Sequence, residues 1–334
     1  MDKSTRKSNF ELLRIISMIM IVMLHTLGKG SAFTSFKLTS INFFIVNILE
    51  SLSIVSVNCY ILISGYFGGE SKFRFRKLVD LYMQILFYSI SISAVFWLLG
   101  IYKVNKVDIY RTLFPISFQN WWFMSMFFIL YMLTPYINKL LKSLSFKEFN
   151  LLLILLVVIF VIWPSIFVLK PVDITGGYSL YNFIFLYIVG FYMNKYLRNI
   201  SLNKYLLISI YILCSSLLAF LNIKESIVLN KNYGMYSYNF ILVFIASIVL
   251  FLFFKELKIN NNKIINSLAG LTLGVYLIHE HIYVRSFIYK FLGYRNYFYG
   301  AYFIMATILI VLLIYSVSSL IEYLRQLLFS FRLR

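Results

Sequence analysis

Long apolar stretches separated by short polar breaks recur along the whole chain. A helix needs about 20 apolar residues to cross a hydrocarbon layer of roughly 30 Å, and backbone inside lipid must satisfy its own hydrogen bonds, so each stretch predicts a helix. The pattern predicts an all-α fold: an integral membrane helical bundle of about ten transmembrane helices in a single membrane-embedded domain, residues 1–334, with no appended soluble domain. The predicted helices are 10–27, 41–65, 78–100, 120–138, 150–169, 179–194, 205–221, 237–254, 264–284 and 300–321.

Composition excludes a soluble protein. Hydrophobic residues make up 61% of the chain and charged residues 13%, whereas soluble domains contain about 25% charged residues; mean hydropathy is +0.84. The net charge of +19 sits almost wholly in the short breaks, which argues against nucleic acid as a partner. The two cysteines lie inside apolar runs, so we expect neither a disulfide framework nor a metal site.

The distribution of basic residues predicts the topology. If the N-terminus is cytoplasmic, nineteen of the 31 Lys and Arg residues fall in cytoplasmic segments and eleven in external loops. Because cytoplasmic loops are enriched in Lys and Arg, this bias predicts that both termini are cytoplasmic.

Ionisable side chains inside the predicted helices are the candidates for function, because each costs roughly 2.5–3.5 kcal/mol to insert into lipid. They are Glu11, Arg14, His25, Glu50, Asp80, His279, Glu280 and His281. Arg14 and His25 are eleven residues apart, which places both on one face of the first helix, about 16 Å apart in depth. Arg14 then lies toward the cytoplasm and His25 toward the outer side. The alternative for Arg14 is a snorkelling anchor paired with Glu11.

The histidines indicate a polar cavity on the outer side. The chain has three, and His279 and His281 fall near the outer end of the ninth helix, at the depth of His25. Because neighbouring helical residues diverge by about 100°, at most one of the pair is expected to face His25. Tyr276, three residues before His279, could present a hydroxyl beside that imidazole or serve only as an interfacial anchor.

Glu50 is an acid at mid-depth of the second helix. An acid there is expensive, which nominates Glu50 as a residue lining a cavity. A hydrogen bond between helices is the competing interpretation.

Four segments resemble the acyltransferase 3 family of multispanning bacterial membrane acyltransferases. Arg14, ten residues and His25 match its R-x10-H signature; NCYILISGYF (58–67), NWWFMSMFFILYMLTPYINKLL (120–141) and LAGLTLGVYLIHEH (268–281) are similar to its second, fourth and ninth helices. The resemblance implies a multi-pass protein of the bacterial cell membrane that transfers an acyl group, usually acetyl from acetyl-CoA, to a hydroxyl of a sugar or other envelope molecule. It also implies that Arg14 and His25 are essential, with acyl-CoA as a co-substrate and no bound cofactor.

If acyl-CoA is the co-substrate, a basic loop is a candidate for binding it. Coenzyme A carries several phosphates, and the segment Lys72–Lys77 is the densest cytoplasmic cluster, so Arg74, Arg76 and Lys77 are candidate donor-binding residues. The loop could equally reflect topology alone.

Two functions compete for this sequence. In the first, acyl-CoA enters near Arg14, while His25 removes the proton of an acceptor hydroxyl on a cell-surface polysaccharide, such as a capsule or exopolysaccharide, or on its lipid-linked precursor. In the second, the intramembrane charges form the path of a transporter or flippase for a lipid-linked glycan. The sequence shows no inverted repeat and no paired broken helices, which would favour the second.

Overall fold

The fold is all-helical, as predicted, with 77% of the chain in helices. The computed structural model describes residues 6–167, 175–232, 234–298 and 302–330, and no β-strand occurs in those ranges. The described elements, in chain order, are α1 (Ser8–Lys29), α2 (Ala32–Ser35), α3 (Ile41–Ser53), α4 (Ser56–Gly68), α5 (Phe75–Leu98), α6 (Lys106–Leu113), α7 (Trp122–Ser143), α8 (Phe146–Val157), a π-helical turn (Val158–Ile162), α9 (Trp163–Ile166), α10 (Leu180–Leu197), α11 (Lys204–Val228), α12 (Ile241–Glu256), α13 (Lys263–Ala269), α14 (Thr272–His279), α15 (Val284–Phe291), a 3₁₀ turn (Tyr294–Tyr297) and α16 (Phe303–Ser330).

Seven described segments are long and apolar enough to cross a membrane: Ser8–Ser35, Ile41–Gly68, Phe75–Leu98, Trp122–Ser143, Phe146–Ile166, Lys204–Val228 and Phe303–Phe329. The other three predicted spans correspond to α10, α12 and the pair α13–α14, which are helical but fall short of that criterion. Ten crossings and cytoplasmic termini therefore stay predictions. Residues 168–169 of the fifth predicted span and 300–301 of the tenth lie outside the described ranges.

Two spans predicted as continuous are interrupted. The second breaks at Ile54 and Val55, between α3 and α4, and the ninth breaks between α13 and α14. Ile54 N–H donates to the Glu50 carbonyl at 2.9 Å, which closes α3, and Cys59 N–H donates to the Val55 carbonyl at 3.0 Å, which opens α4. At the break itself, the Leu52 carbonyl accepts from the Tyr211 hydroxyl at 2.6 Å.

The two longest predicted loops also contain helices. α6 begins with a capping box: Asp108 N–H donates to the Asn105 side chain at 2.9 Å, and Asn105 N–H donates to the Asp108 carboxylate at 3.3 Å. Such reciprocal bonds satisfy donors that a helix N-terminus leaves free. α15 follows α14 directly and carries Arg285 toward the candidate site.

α1 lies at the centre of the bundle. It contacts α3, α4, α12, α14, α15 and α16, and Leu13, Val22 and Leu27 on it are fully buried. Because helices surround α1 on several sides, polar residues on it such as Asn9 and His25 meet groups of other helices.

Small residues allow α4 and α10 to pack backbone against backbone. A Cβ atom at Gly65 would collide with the Tyr187 carbonyl, and one at Gly190 would collide with the Leu62 carbonyl. Membrane helices associate through such close contact, since burial from lipid gives little hydrophobic gain. This contact fixes α4, and with it the end of the family-like segment 58–67.

Candidate active site

His25 on α1 and His279, the last residue of α14, form a direct pair. His279 Nδ1 lies 2.6 Å from the Val275 carbonyl oxygen, and a carbonyl only accepts, so this nitrogen carries the hydrogen. Nε2 of neutral His279 is then an acceptor, and His25 Nδ1, 2.9 Å away, donates to it. In this tautomer His25 Nε2 keeps a free lone pair.

A buried carboxylate faces the same nitrogen of His25. Glu280 Oε2 lies 3.3 Å from His25 Nδ1, and Glu280 Oε1 lies 3.4 Å from an Arg285 guanidinium nitrogen. Glu280 is only 5% exposed, while the His25 side chain keeps 20% of its surface exposed. The Nδ1 edge of the His25 imidazole is therefore held by protein groups, while another part of the ring stays exposed.

Glu280 is one of the intramembrane charges predicted from the sequence, which assigns it no role. Residues 279 and 280 would diverge by about 100° in a continuous helix. α14 ends at His279, however, and Glu280 leaves helical geometry at φ −96° and ψ 6°. The end of the helix thus lets both neighbouring side chains reach His25, and the helical periodicity used for the prediction does not apply there.

The third histidine lies elsewhere. The His281 ring packs against Trp121, with centroids 5.4 Å apart, and its Nδ1 accepts from Tyr283 N–H at 3.3 Å. His281 is buried. Of the pair considered in the sequence, His279 is therefore the residue that contacts His25.

Tyr276 stands beside both histidines. Its ring centroid is 6.4 Å from that of His25 and 6.0 Å from that of His279. The buried hydroxyl lies near Phe123 N–H, and its own hydrogen meets no acceptor within the described ranges. Tyr276 can therefore donate a hydrogen bond to a molecule held next to His25.

A file of aromatic rings leads from His25 to the surface. Ring centroids are 5.9 Å apart between Tyr276 and Phe123, 6.0 Å between Phe123 and Trp122, and 4.5 Å between Trp122 and Tyr178. Tyr178 is 45% exposed. The site thus has a continuous aromatic wall toward solvent.

Glu50 lies in the last turn of α3, close to this wall. Its Oε2 is buried and meets no hydrogen-bond partner in the part of the chain that the structure describes. The carboxylate is close enough to interact electrostatically with the hydroxyls of Tyr178, Tyr236 and Tyr238. An unpaired buried carboxyl oxygen is costly, so this position calls for a hydrogen-bond donor.

Arg14 occupies the opposite half of α1. Its guanidinium pairs with Glu11 at 2.7 Å, and the side chains are 33% and 9% exposed respectively. The Tyr60 hydroxyl donates to the Arg14 carbonyl at 2.7 Å, which ties α4 to α1 at this level. The ion pair fits both interpretations of Arg14, as an anchor and as a binding group.

Lys77, one of the three predicted donor-loop residues, lies near Arg14, and Arg74 lies near Lys77. The Lys77 ammonium lies 5.3 Å from the centre of the Tyr131 ring and is close enough to Arg14 and Arg74 for mutual repulsion. Arg76 is exposed. The fold therefore joins helix 1 and the basic loop into one positively charged surface, formed by Arg14, Arg74 and Lys77.

The chain matches a known family along nearly its whole length. The family model Acyl_transf_3, described as an acyltransferase domain, covers residues 7–320, a range that includes both halves of the site. No curated protein and no solved structure matches the chain significantly. With its apolar spanning helices, the chain therefore belongs to the acyltransferase 3 family and is a multi-pass membrane acyltransferase.

Proposed function

We propose that the protein is an O-acyltransferase of the bacterial cell membrane. It moves an acetyl group from acetyl-CoA to a hydroxyl of a cell-surface polysaccharide or of its lipid-linked precursor. The observation that carries this proposal is the fixed tautomer of His25, whose Nδ1 is engaged by His279 and whose Nε2 is left as a base. A neutral imidazole suits the removal of a hydroxyl proton near pH 7.

The reaction follows from that geometry. His25 Nε2 takes the proton of the acceptor hydroxyl as its oxygen attacks the thioester carbonyl carbon. The tetrahedral intermediate then collapses, the C–S bond breaks, and the proton on His25 passes to the leaving thiolate. Glu280, 3.3 Å from Nδ1, stabilises the imidazolium that forms in between, and the Tyr276 hydroxyl supplies a hydrogen bond to the carbonyl oxygen.

The donor is assigned to the other half of α1. Arg14 lies about 16 Å from His25 along the helix, too far to act on the same carbonyl. The positive surface of Arg14, Arg74 and Lys77 suits the phosphates of coenzyme A, since guanidinium groups make forked contacts with phosphate. The long pantetheine arm would carry the acetyl group from that surface to His25.

The acceptor is assigned to the aromatic wall. A sugar ring has apolar C–H faces, which pack on rings such as Trp122 and Tyr178, and hydroxyls, which would pair with Glu50. Ligand sites commonly combine apolar and aromatic walls with a few convergent polar groups. An incoming hydroxyl would also satisfy the buried Glu50 oxygen.

The test is direct transfer by the purified protein. Protein in vesicles is incubated with labelled acetyl-CoA and envelope glycan, and covalent label is measured together with uptake into the vesicles. Acetylated glycan is the expected product; uptake of glycan without any covalent product would overturn the proposal and favour the carrier. In cells, the glycan mass should fall by one acetyl group per repeat when the gene is deleted.

A further inference from the structure

A polar cavity lies at the end of the bundle where α1 begins, and neither His25 nor Arg14 lines it. Its volume is about 300 Å³, and it is bounded by the N-terminal end of α1, the segment after α10 and the C-terminal end of α12. The lining includes Lys7, Tyr66, Arg198, Ser201, Lys255 and Glu256. Neither half of the proposed reaction uses this cavity.

Tyr66 connects the cavity to the family-like segment 58–67. Its neighbour Gly65 is explained by the close packing of α4 on α10, but that packing gives no reason for a tyrosine at the next position. Tyr66 is buried, lines the cavity, and lies within electrostatic range of Arg198 and Glu256. Tyr66 therefore places a phenol hydroxyl beside the charged groups of the cavity.

Within the described ranges, one cation at the cavity has no carboxylate to pair with. Arg198 pairs with Glu70 at 2.5 Å, and Lys255 pairs with Glu256 at 2.6 Å. Lys7 has no ion-pair partner among the described residues; partial burial, together with the nearby Arg198, lowers the pKa of its ammonium group. The three cations and two carboxylates of the described residues give a net charge of +1, and an unpaired cation beside a second cation favours a bound anion.

We propose that this cavity binds an esterified phosphate group with a single negative charge, such as the phosphodiester of a phospholipid headgroup. One negative charge neutralises the excess cation. A phosphate monoester carries about −1.5 to −2 near pH 7, so it would leave negative charge next to Glu70 and Glu256. The Tyr66 hydroxyl can donate to a remaining phosphate oxygen.

The surroundings fit a lipid. Ile200 lines the cavity and is exposed, and Tyr205 in the first turn of the apolar helix α11 is 71% exposed. A headgroup in the cavity could therefore extend its acyl chains along the apolar outer surface of α11. The diphosphate of coenzyme A is the other esterified phosphate group that could bind in this cavity.

The test measures binding and needs no enzymatic activity. Purified full-length protein in detergent is titrated with dioctanoyl-phosphatidylglycerol, with dioctanoylglycerol, which has no phosphate, and with coenzyme A, and binding is measured by isothermal titration calorimetry. Lys7→Gln and Arg198→Gln should each weaken binding of the phosphate-bearing ligand about fivefold, the effect of about 1 kcal/mol from one nearby charge.

Two further variants distinguish a loss of binding from misfolding of the protein. Glu256→Gln should tighten binding, because it raises the net charge of the cavity. Lys258→Gln, an exposed cation at the same end that does not line the cavity, should bind as wild type. Charge-dependent binding of either the lipid or coenzyme A supports the site and identifies its source. Equal binding of dioctanoylglycerol, or binding insensitive to Lys7 and Arg198, would overturn it.

Discussion

His25 and His279 are separated by 254 positions in the chain, yet His25 Nδ1 lies 2.9 Å from His279 Nε2. The Val275 carbonyl holds the far side of His279, so a short chain of hydrogen bonds runs from the backbone of α14 to the imidazole on α1. Because this chain of hydrogen bonds occupies Nδ1 of His25, only Nε2 is left able to accept a proton.

His25→Ala should reduce acetyl transfer by about 10²- to 10⁴-fold, the contribution of a positioned general base. The rate is measured with labelled acetyl-CoA in vesicles, and the amount of inserted protein is measured in the membrane fraction. His281→Gln is the matched control, since that histidine packs on Trp121. Substantial transfer by His25→Ala would rule out His25 as the base.

We propose that His279 is a positioning residue, so His279→Ala should lower kcat and leave both KM values near wild type. Misplacing a catalytic group by about 1 Å can cost about 10²-fold in rate. His279→Gln, which keeps an acceptor oxygen, should recover part of kcat. A rise in KM with kcat unchanged would instead indicate a binding role.

Glu280→Gln removes the charge that faces the imidazolium but keeps the shape of the side chain. We expect kcat to fall by about tenfold or more, because a buried charge that acts on a developing opposite charge is difficult to replace. Arg285→Gln should have a smaller effect, since that guanidinium reaches Glu280 only at 3.4 Å. Equal losses for the two variants would assign the effect to the ion pair and not to the carboxylate.

Arg14→Ala should raise the KM for acetyl-CoA by about tenfold or more, as expected when a charged hydrogen bond worth about 1.5–3 kcal/mol is lost. Lys77→Gln should act in the same direction. Arg76→Gln is the comparison, because the charges that act on Lys77 come from Arg14 and Arg74. Initial rates at varied acetyl-CoA distinguish the three variants, and a normal KM in Arg14→Ala would remove Arg14 from the donor site.

Gly65→Ala should lower thermal stability by the equivalent of about 1–3 kcal/mol, because the added methyl meets the Tyr187 carbonyl and overpacking costs about that much. Gly28→Ala is the matched control: nothing lies within 4 Å of its Cβ position. That change should be neutral or stabilise α1 by up to about 1 kcal/mol. Thermal unfolding in detergent measures both, and an unaffected Gly65→Ala protein would contradict the backbone packing described for α4 and α10.

The sequence by itself determined the helical class and the positions of ten helical stretches, because apolar runs of membrane length permit little besides helices. It also separated Arg14 from His25 by a depth that follows from helix geometry alone. It did not show the interruption at Ile54 and Val55, because serines like the flanking Ser53 and Ser56 also occur inside the intact helix α5. Nor did it show that α6 begins at the capping box of Asn105 and Asp108.

The tertiary structure decided which groups meet. Helical periodicity limited the pair of His279 and His281 to one residue facing His25, but the orientation of α14 against α1 selected His279. Glu280 joins the site because α14 ends just before it, and that ending depends on packing and not on local propensity. Contacts between distant segments arise from the assembly of the whole bundle. The sequence therefore shows the chemistry of each side chain but does not show which other side chain it will contact.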